Sequence, residues 1–329
     1  MSALPNDMPA AGAGAAPGRR AAVVYVVVLV LVALAAFAYK LRSTGIFACP
    51  ADGYAGDRYL AYCNATGYGD YDQGAFWFGL EAEAAAQAAA ADVVFLGNSR
   101  TQFGLSSPAT ADWFRARGLH HYLLGFPVYE NARFVAPLLQ RRPLRARLYV
   151  INVDGFFDDR DSEPFKAIRA DRDALSWTQE RQRWQPVHRL LCGHWPALCG
   201  DAMAIYRARA DGSWRSAGRN LYAATAVADV PSAGSTDVAA WAANAGRFLA
   251  RLPVARRCVV LTLVPTRDTQ RADAQALAHE LGLELVSPAL DGLHTFDGSH
   301  LDPPSAQRWS QAFLDAAQPQ IDACLNSTH

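Results

Sequence analysis

The chain carries no surplus of positive charge. Its 31 lysines and arginines are matched by 31 aspartates and glutamates, whereas a protein that grips a phosphate backbone concentrates cations on its binding face. Nucleic acid is therefore not an expected partner. The sequence also lacks any C-x-x-C pair, so no metal and no other cofactor is expected. After residue 38 there is no further long apolar run that would dock on lipid, which argues against a secreted lipase.

The apolar residues that are present are concentrated near the N-terminus. Ala21 to Ala38 reads AAVVYVVVLVLVALAAFA, eighteen residues without a charge between Arg19-Arg20 and Lys40/Arg42. Such a run is long enough to cross a hydrocarbon core as a helix. Ala36-Phe37-Ala38 also fits the small-x-small pattern of a cleaved signal peptide. The run exceeds a usual signal core, which favours an uncleaved anchor over 21–39, behind a disordered cytoplasmic tail over 1–20. Either reading exports the rest of the chain. The flanking charges are too balanced to fix orientation alone, so the cysteines must contribute. An even count of six after an export signal suggests disulfides in an oxidising compartment. Local spacing pairs Cys49 with Cys63 and Cys192 with Cys199. Elimination leaves Cys258 and Cys324, which nothing in the sequence brings together.

Residues 40–91 read as an irregular lead-in ending in a helix, because Glu81 to Ala91 (EAEAAAQAAAA) consists almost entirely of strong helix formers. From 92 to 329, short apolar runs alternate with amphipathic segments. The runs are 93–96, 121–124, 148–153, 258–264 and 283–286; the helical patterns lie around 109–117, 131–140, 238–252 and 269–281. Strands alternating with helices predict an α/β fold with a mostly parallel sheet covered on both faces, and ligands of such sheets bind at the carboxyl ends of the strands. Residues 156–233 interrupt the alternation and contain Trp177, Trp184, Trp195 and Trp214. They read either as a helical insertion with its own small core or as an aromatic cover over a site.

The first run ends in Gly97-Asn98-Ser99-Arg100, a small hydroxyl at the tip of a strand. Serine becomes a nucleophile when a base within hydrogen-bond reach takes its proton and a third group orients the base. After the last apolar run, DGLHTFDGSHLDPP offers two D-x-x-H pairs, Asp291 with His294 and Asp297 with His300. The second is favoured because Asp302-Pro303-Pro304 after His300 opens a final helix and fixes a tight turn. On such a turn an i to i+3 spacing lets the carboxylate hold one ring nitrogen while the other faces outward. Ser99 could instead merely cap a helix, and His300 could be a satisfied turn residue. Arg100 reads as a surface-paired side chain before it reads as a substrate clamp.

FLGNSR at one end and DGSHL at the other resemble the SGNH hydrolases, also called GDSL esterases, over about Asp92 to Ala317. The resemblance implies a three-layer α/β/α sandwich with a flavodoxin-like sheet. It also implies a catalytic triad of Ser99, His300 and Asp297, with an oxyanion hole formed by Ser99, Gly125 in YLLGFP and the asparagine of a third block. That block is normally G-x-N-D and is INVDGFF here, so Asn152 takes the asparagine role while Asp154, close by, carries a group that is a poor oxyanion donor. The usual G-D-S is Gly97-Asn98-Ser99. By this resemblance the chain is a serine esterase or O-acyltransferase acting on acyl, chiefly acetyl, esters of cell-envelope glycans. It would be single-pass in the inner (cytoplasmic) membrane with its catalytic domain in the periplasm, and would work with a membrane-bound acyl-donor protein. The altered third block leaves a second reading, a non-catalytic SGNH-fold protein that binds glycan or scaffolds an envelope complex through its Trp-rich insertion.

Overall fold

A computed structural model of the chain describes residues 19–127, 130–220, 222–231 and 237–326; most of the expected tail over 1–20 lies outside them. Helix α1 (Arg19–Ser43) contains an apolar stretch, Ala21–Ser43, long enough to cross a membrane. It forms a compact unit separate from the body, which begins at Thr44.

The body opens with strands β1 (Arg58–Cys63) and β2 (Gly69–Asp70) and helices α2 (Asp72–Phe78) and α3 (Ala82–Ala90). There follow β3 (Val93–Asn98), α4 (Ser99–Leu105), α5 (Pro108–Ala116), β4 (His121–Phe126), α6 (Ala132–Arg141) and β5 (Leu148–Asn152). The next stretch contains α7 (Glu163–Ala170), α8 (Ala174–His194), β6 (Ala204–Ala208), β7 (Trp214–Ala217) and β8 (Thr225–Ala226). The chain closes with α9 (Val238–Leu249), β9 (Val259–Thr262), α10 (Arg271–Glu280), β10 (His294–Thr295) and α11 (Pro303–Leu325).

The central sheet is parallel, in the order β4-β3-β5-β9. All residues of β3, β4 and β5 are buried, as expected of strands covered on both faces. Alternate residues feed two cores. Val94, Leu96, Tyr122 and Ile151 pack with Phe134 of α6, Phe248 of α9 and Leu277 of α10. Val93, Phe95, Leu123 and Val150 pack with Phe114 of α5 and with Trp309 and Phe313 of α11.

The apolar run 283–286 does not form a fifth strand. Leu285 makes a single parallel bridge to Leu261, and hydroxyls complete the edge, with Thr262 Oγ1 donating to the Val286 carbonyl and Ser287 Oγ to that of Leu263. Nor is 156–233 a separate helical module. Its β6 and β7 join β1 and β2 of the lead-in in an antiparallel sheet ordered β2-β1-β6-β7. At this junction the wholly buried Arg207 forks onto both oxygens of the wholly buried Asp72, and it also donates to the carbonyls of Leu123, Gly125 and Gly212. Three disulfides are formed, Cys49–Cys63, Cys192–Cys199 and Cys258–Cys324.

Candidate active site

The turn from β3 into α4 is made abrupt by glycine. A Cβ on Gly97 would lie 2.0 Å from Thr101 Oγ1 and 3.2 Å from Asn152 Cβ, so only a residue without one lets the helix fold straight back over the strand. Asn98 then caps α4, its Oδ1 accepting from the Arg100 N–H at 2.9 Å. Its Nδ2 donates to the Asp154 carbonyl (3.0 Å) and reaches the Asp154 carboxylate (3.4 Å). An amide can both accept and donate in this way; a carboxylate could only accept. Ser99 therefore occupies the first position of α4, where its N–H has no intrahelical acceptor and lies at the positive end of the helix dipole.

The second turn lies between β10 and α11. Phe296 N–H donates to the His300 carbonyl, Thr295 bridges Leu301, and Asp302 caps α11 ahead of Pro303. Gly298 takes the positive φ (84°) that closes the turn. Asp297 Oδ1 accepts from the amides of Ser299 (2.9 Å) and His300 (2.8 Å), leaving Oδ2 to accept from His300 Nδ1 at 2.7 Å. Partial burial pushes the Asp297 carboxyl upward, but the bonds from the His300 ring and from the two amides outweigh it and hold the group below its ordinary value. A carboxylate only accepts, so Nδ1 carries the proton and the Nε2 lone pair is left for Ser99 Oγ, 2.8 Å away. Phe103, one turn beyond Ser99, and Phe296 flank the imidazole at 4.8 and 5.6 Å between ring centres.

Ser99, His300 and Asp297 are thus brought into one hydrogen-bonded chain. Asp291 and His294 lie elsewhere: His294 is exposed on β10, opposite Ala226, and its amide donates to Ser305 Oγ. Gly125 sits inside β4 in register with Gly97. Its carbonyl accepts from Gln102 Nε2 and from Arg207, and a Cβ there would lie 2.6 Å from the Asn98 carbonyl oxygen. Asn152, the last residue of β5, is wholly buried beneath the turn. Its Oδ1 accepts from the Val264 N–H, while its Nδ2 has no hydrogen-bond partner among the described residues. A buried donor left unmatched is uncommon in folded proteins.

Arg100 ties the two turns together. Its Nε donates to Ser299 Oγ at 3.0 Å, inside the Asp297–His300 turn, and its guanidinium pairs with Asp154 after β5. Sequence reading did not link Arg100 to Ser299, nor Asn98 to Asp154, because these pairs cross different loops; the only signal was that each flanks a strand end. Nor did it single out the phenylalanines. Of the four insertion tryptophans, Trp214 lines a hollow of about 530 Å³ with Phe103 and Phe296 beside His300. Trp177 and Trp195 are exposed, and Trp184 packs edge-on to Phe47. On the other side, Asn98, Arg100 and Asp154 open into a polar cleft of about 730 Å³. Away from the site, His188, Cys192 and Cys199 lie within ligand distance of one another, but the two sulfurs are bonded together and the His188 nitrogens engage Tyr54 and Cys49. Neither thiolate is available to a metal. Searches against protein-family models, curated proteins and solved structures return no match for this chain.

Proposed function

We propose that the chain is a membrane-anchored, extracytoplasmic serine acyl-ester enzyme of the SGNH kind, its body a three-layer α/β/α sandwich with the site at the carboxyl ends of the parallel strands. The reading rests on one observation, the continuous hydrogen-bonded chain from Ser99 Oγ through His300 to Asp297. Ser99 Oγ attacks the ester carbonyl as its proton passes to His300 Nε2, and Asp297 stabilises the imidazolium that forms. The tetrahedral oxyanion is met by the Ser99 N–H at the α4 terminus and by Asn152 Nδ2, the buried donor without an acceptor among the described residues, with Gly125 shaping the wall beside them. When the C–O bond breaks, the departing alkoxide takes the proton from Nε2, leaving Ser99 acylated. An acceptor hydroxyl then gives its proton to Nε2 and attacks the acyl carbon; the acyl–Oγ bond breaks, and Ser99 Oγ takes the proton back from Nε2. Water as acceptor makes the protein an esterase; a sugar hydroxyl makes it an O-acyltransferase.

The substrate class is a short acyl group, acetyl first, on a cell-envelope glycan, with a membrane-bound acyl-donor protein as partner and the inner membrane as location. Helix α1 and the three disulfides support an anchored domain in an oxidising compartment. The full chain in detergent micelles, assayed on p-nitrophenyl acetate, tests the reading. Ser99→Ala and His300→Ala should each lower kcat by on the order of 10⁴-fold, while His294→Ala stays near wild type. Turnover that survives Ser99→Ala, or a Ser99 that resists a fluorophosphonate probe, would refute it and favour a glycan-binding or scaffolding role.

A further inference from the structure

The cleft that opens at Arg100, next to Ser99, carries carboxylates of its own, Asp154, Asp158, Asp161 and Glu163, beside Arg100, Arg160 and Lys166. Asp158 lines it and also lines a second trough of about 670 Å³. The same elements carry both walls onward: Asn131 then Arg133 at the start of α6, and Trp241 then Asn244 on α9. In a chain of zero net charge, this second trough gathers five arginines (133, 141, 169, 247 and 251) against two aspartates, Asp158 and Asp159.

The arginines are not all matched by carboxylates. Arg133 and Arg169 engage Asp161, and Arg133 also reaches Asp159. Among the described residues, Arg141, Arg247 and Arg251 form no ion pair. Arg141 lies over the Trp77 ring at 4.3 Å, which fixes its plane and leaves its N–H edge available. Arg247 donates to Asn244 Oδ1, and Arg251, one turn further on, is exposed. Like charges four apart repel, so the bare protein gains nothing from this pair. Arg133 and Arg141 are separated by eight residues of α6, about 12 Å along the helix axis, a span that no single phosphate or carboxylate covers. Guanidinium forks match carboxylates two bonds at a time.

We infer that this arginine-lined trough binds an anionic oligosaccharide, a chain bearing several carboxylates, and holds it beside the cleft that opens at Arg100. The inference rests on the proposed esterase or transferase reading and supplies its substrate class: an acidic glycan rather than a neutral one. The recessed shape favours a threaded chain over a flat bilayer surface.

Binding is tested by calorimetry on the full chain in non-ionic micelles, with a galacturonate hexasaccharide as probe, either fully ionised or fully methyl-esterified. The ionised hexamer should bind at least about tenfold tighter than the esterified one, and its affinity should fall with added salt. Arg247→Gln with Arg251→Gln should weaken binding by about tenfold or more, and Arg247→Lys with Arg251→Lys by less, because lysine keeps the charge but loses the fork. The two side chains are exposed, so an unchanged unfolding midpoint serves as the check on folding. Equal binding of the two hexamers, no binding of either, or wild-type affinity in the Gln pair would overturn the inference. So would phosphatidylglycerol vesicles bound through these arginines when the hexamer is not, which would assign them to lipid headgroups. Measured on Ser99→Ala, binding stands or falls apart from catalysis. Turnover without hexamer binding fails the trough alone, and hexamer binding without turnover fails the catalytic reading alone.

Discussion

Replacing Asn98 by aspartate would restore the triplet usual in the resembling family, yet in this chain it should be harmful. Aspartate caps a helix as well as asparagine does, so the bond from Arg100 N–H survives. The bond from Nδ2 to the Asp154 carbonyl is lost, and a second carboxylate arrives where the amide now stands, 3.4 Å from Asp154 Oδ2. Two unit charges at that separation repel by about 5 kcal/mol at an effective dielectric constant of 20 and about 1 kcal/mol in water. Asn98 is buried and the Asp154 side chain is 23% exposed, which places the site between those limits, and the Arg100 guanidinium offsets part of the repulsion. A net cost of about 1.5 to 3 kcal/mol corresponds to roughly 10- to 160-fold. Asn98→Asp should therefore lower kcat/KM on an artificial ester by that factor and lower the urea midpoint at pH 7.5. Adding Asp154→Asn removes the second charge and should restore most of both losses. The reasoning is refuted if Asn98→Asp matches wild type in both measurements, or if the double variant is no better than the single one.

Arg207→Leu strands the Asp72 carboxylate in a fully buried site, so urea unfolding should show a loss of about 3–5 kcal/mol, and adding Asp72→Asn should recover part of it. Glu130 is buried between Ser162 Oγ and the Asn131 amide, and burial raises its pKa from 4.5 to about 7. Between those values the folded chain holds a proton that the unfolded chain has released, so stability falls as pH rises through the window and stays reduced above it. Glu130→Gln should flatten that slope and raise the stability measured at pH 8, by on the order of 3 kcal/mol, with little effect at pH 4. Cys258→Ser with Cys324→Ser opens a loop whose ends are 66 residues apart, and chain entropy predicts a loss of about 4 kcal/mol, read as a lowered urea midpoint. Asn152→Leu should lower kcat by about 10²-fold with KM nearly unchanged if its Nδ2 meets the oxyanion; a rise in KM alone would remove it from that role.

What could be read in the sequence was what is written locally. The unbroken apolar run into Gly97-Asn98-Ser99 announced a buried strand and an abrupt turn, and Asp297-Gly298-Ser299-His300 carried its own hydrogen-bond geometry within four residues. The edge at 283–286 misled because Leu-Glu-Leu-Val has strand composition, whereas among the described residues only the Val286 N–H reaches β9, at the Leu261 carbonyl, and side-chain hydroxyls of Thr262 and Ser287 make the other cross-links, which no period records. The pairing of Leu60 with Tyr206 left no trace either, since neither strand carries a mark of its mate. The five arginines of the trough are scattered over α6, α7, and α9 with the turn after it, so only the folded chain gathers them.

That antiparallel sheet sets a timetable. Asp72 finds Arg207 only 135 residues later, so in a chain delivered N-terminus first, β1 can pair with β2 at once but keeps its other edge open until β6 has appeared. The parallel sheet cannot relieve the wait, because Arg207 also takes the carbonyls of Leu123 and Gly125 on β4. Contacts this distant in sequence slow folding and lengthen the time for which strand edges are open. Closing the lead-in against the insertion thus also fixes the Leu123 and Gly125 carbonyls of β4, the strand in register with the one that leads into Ser99.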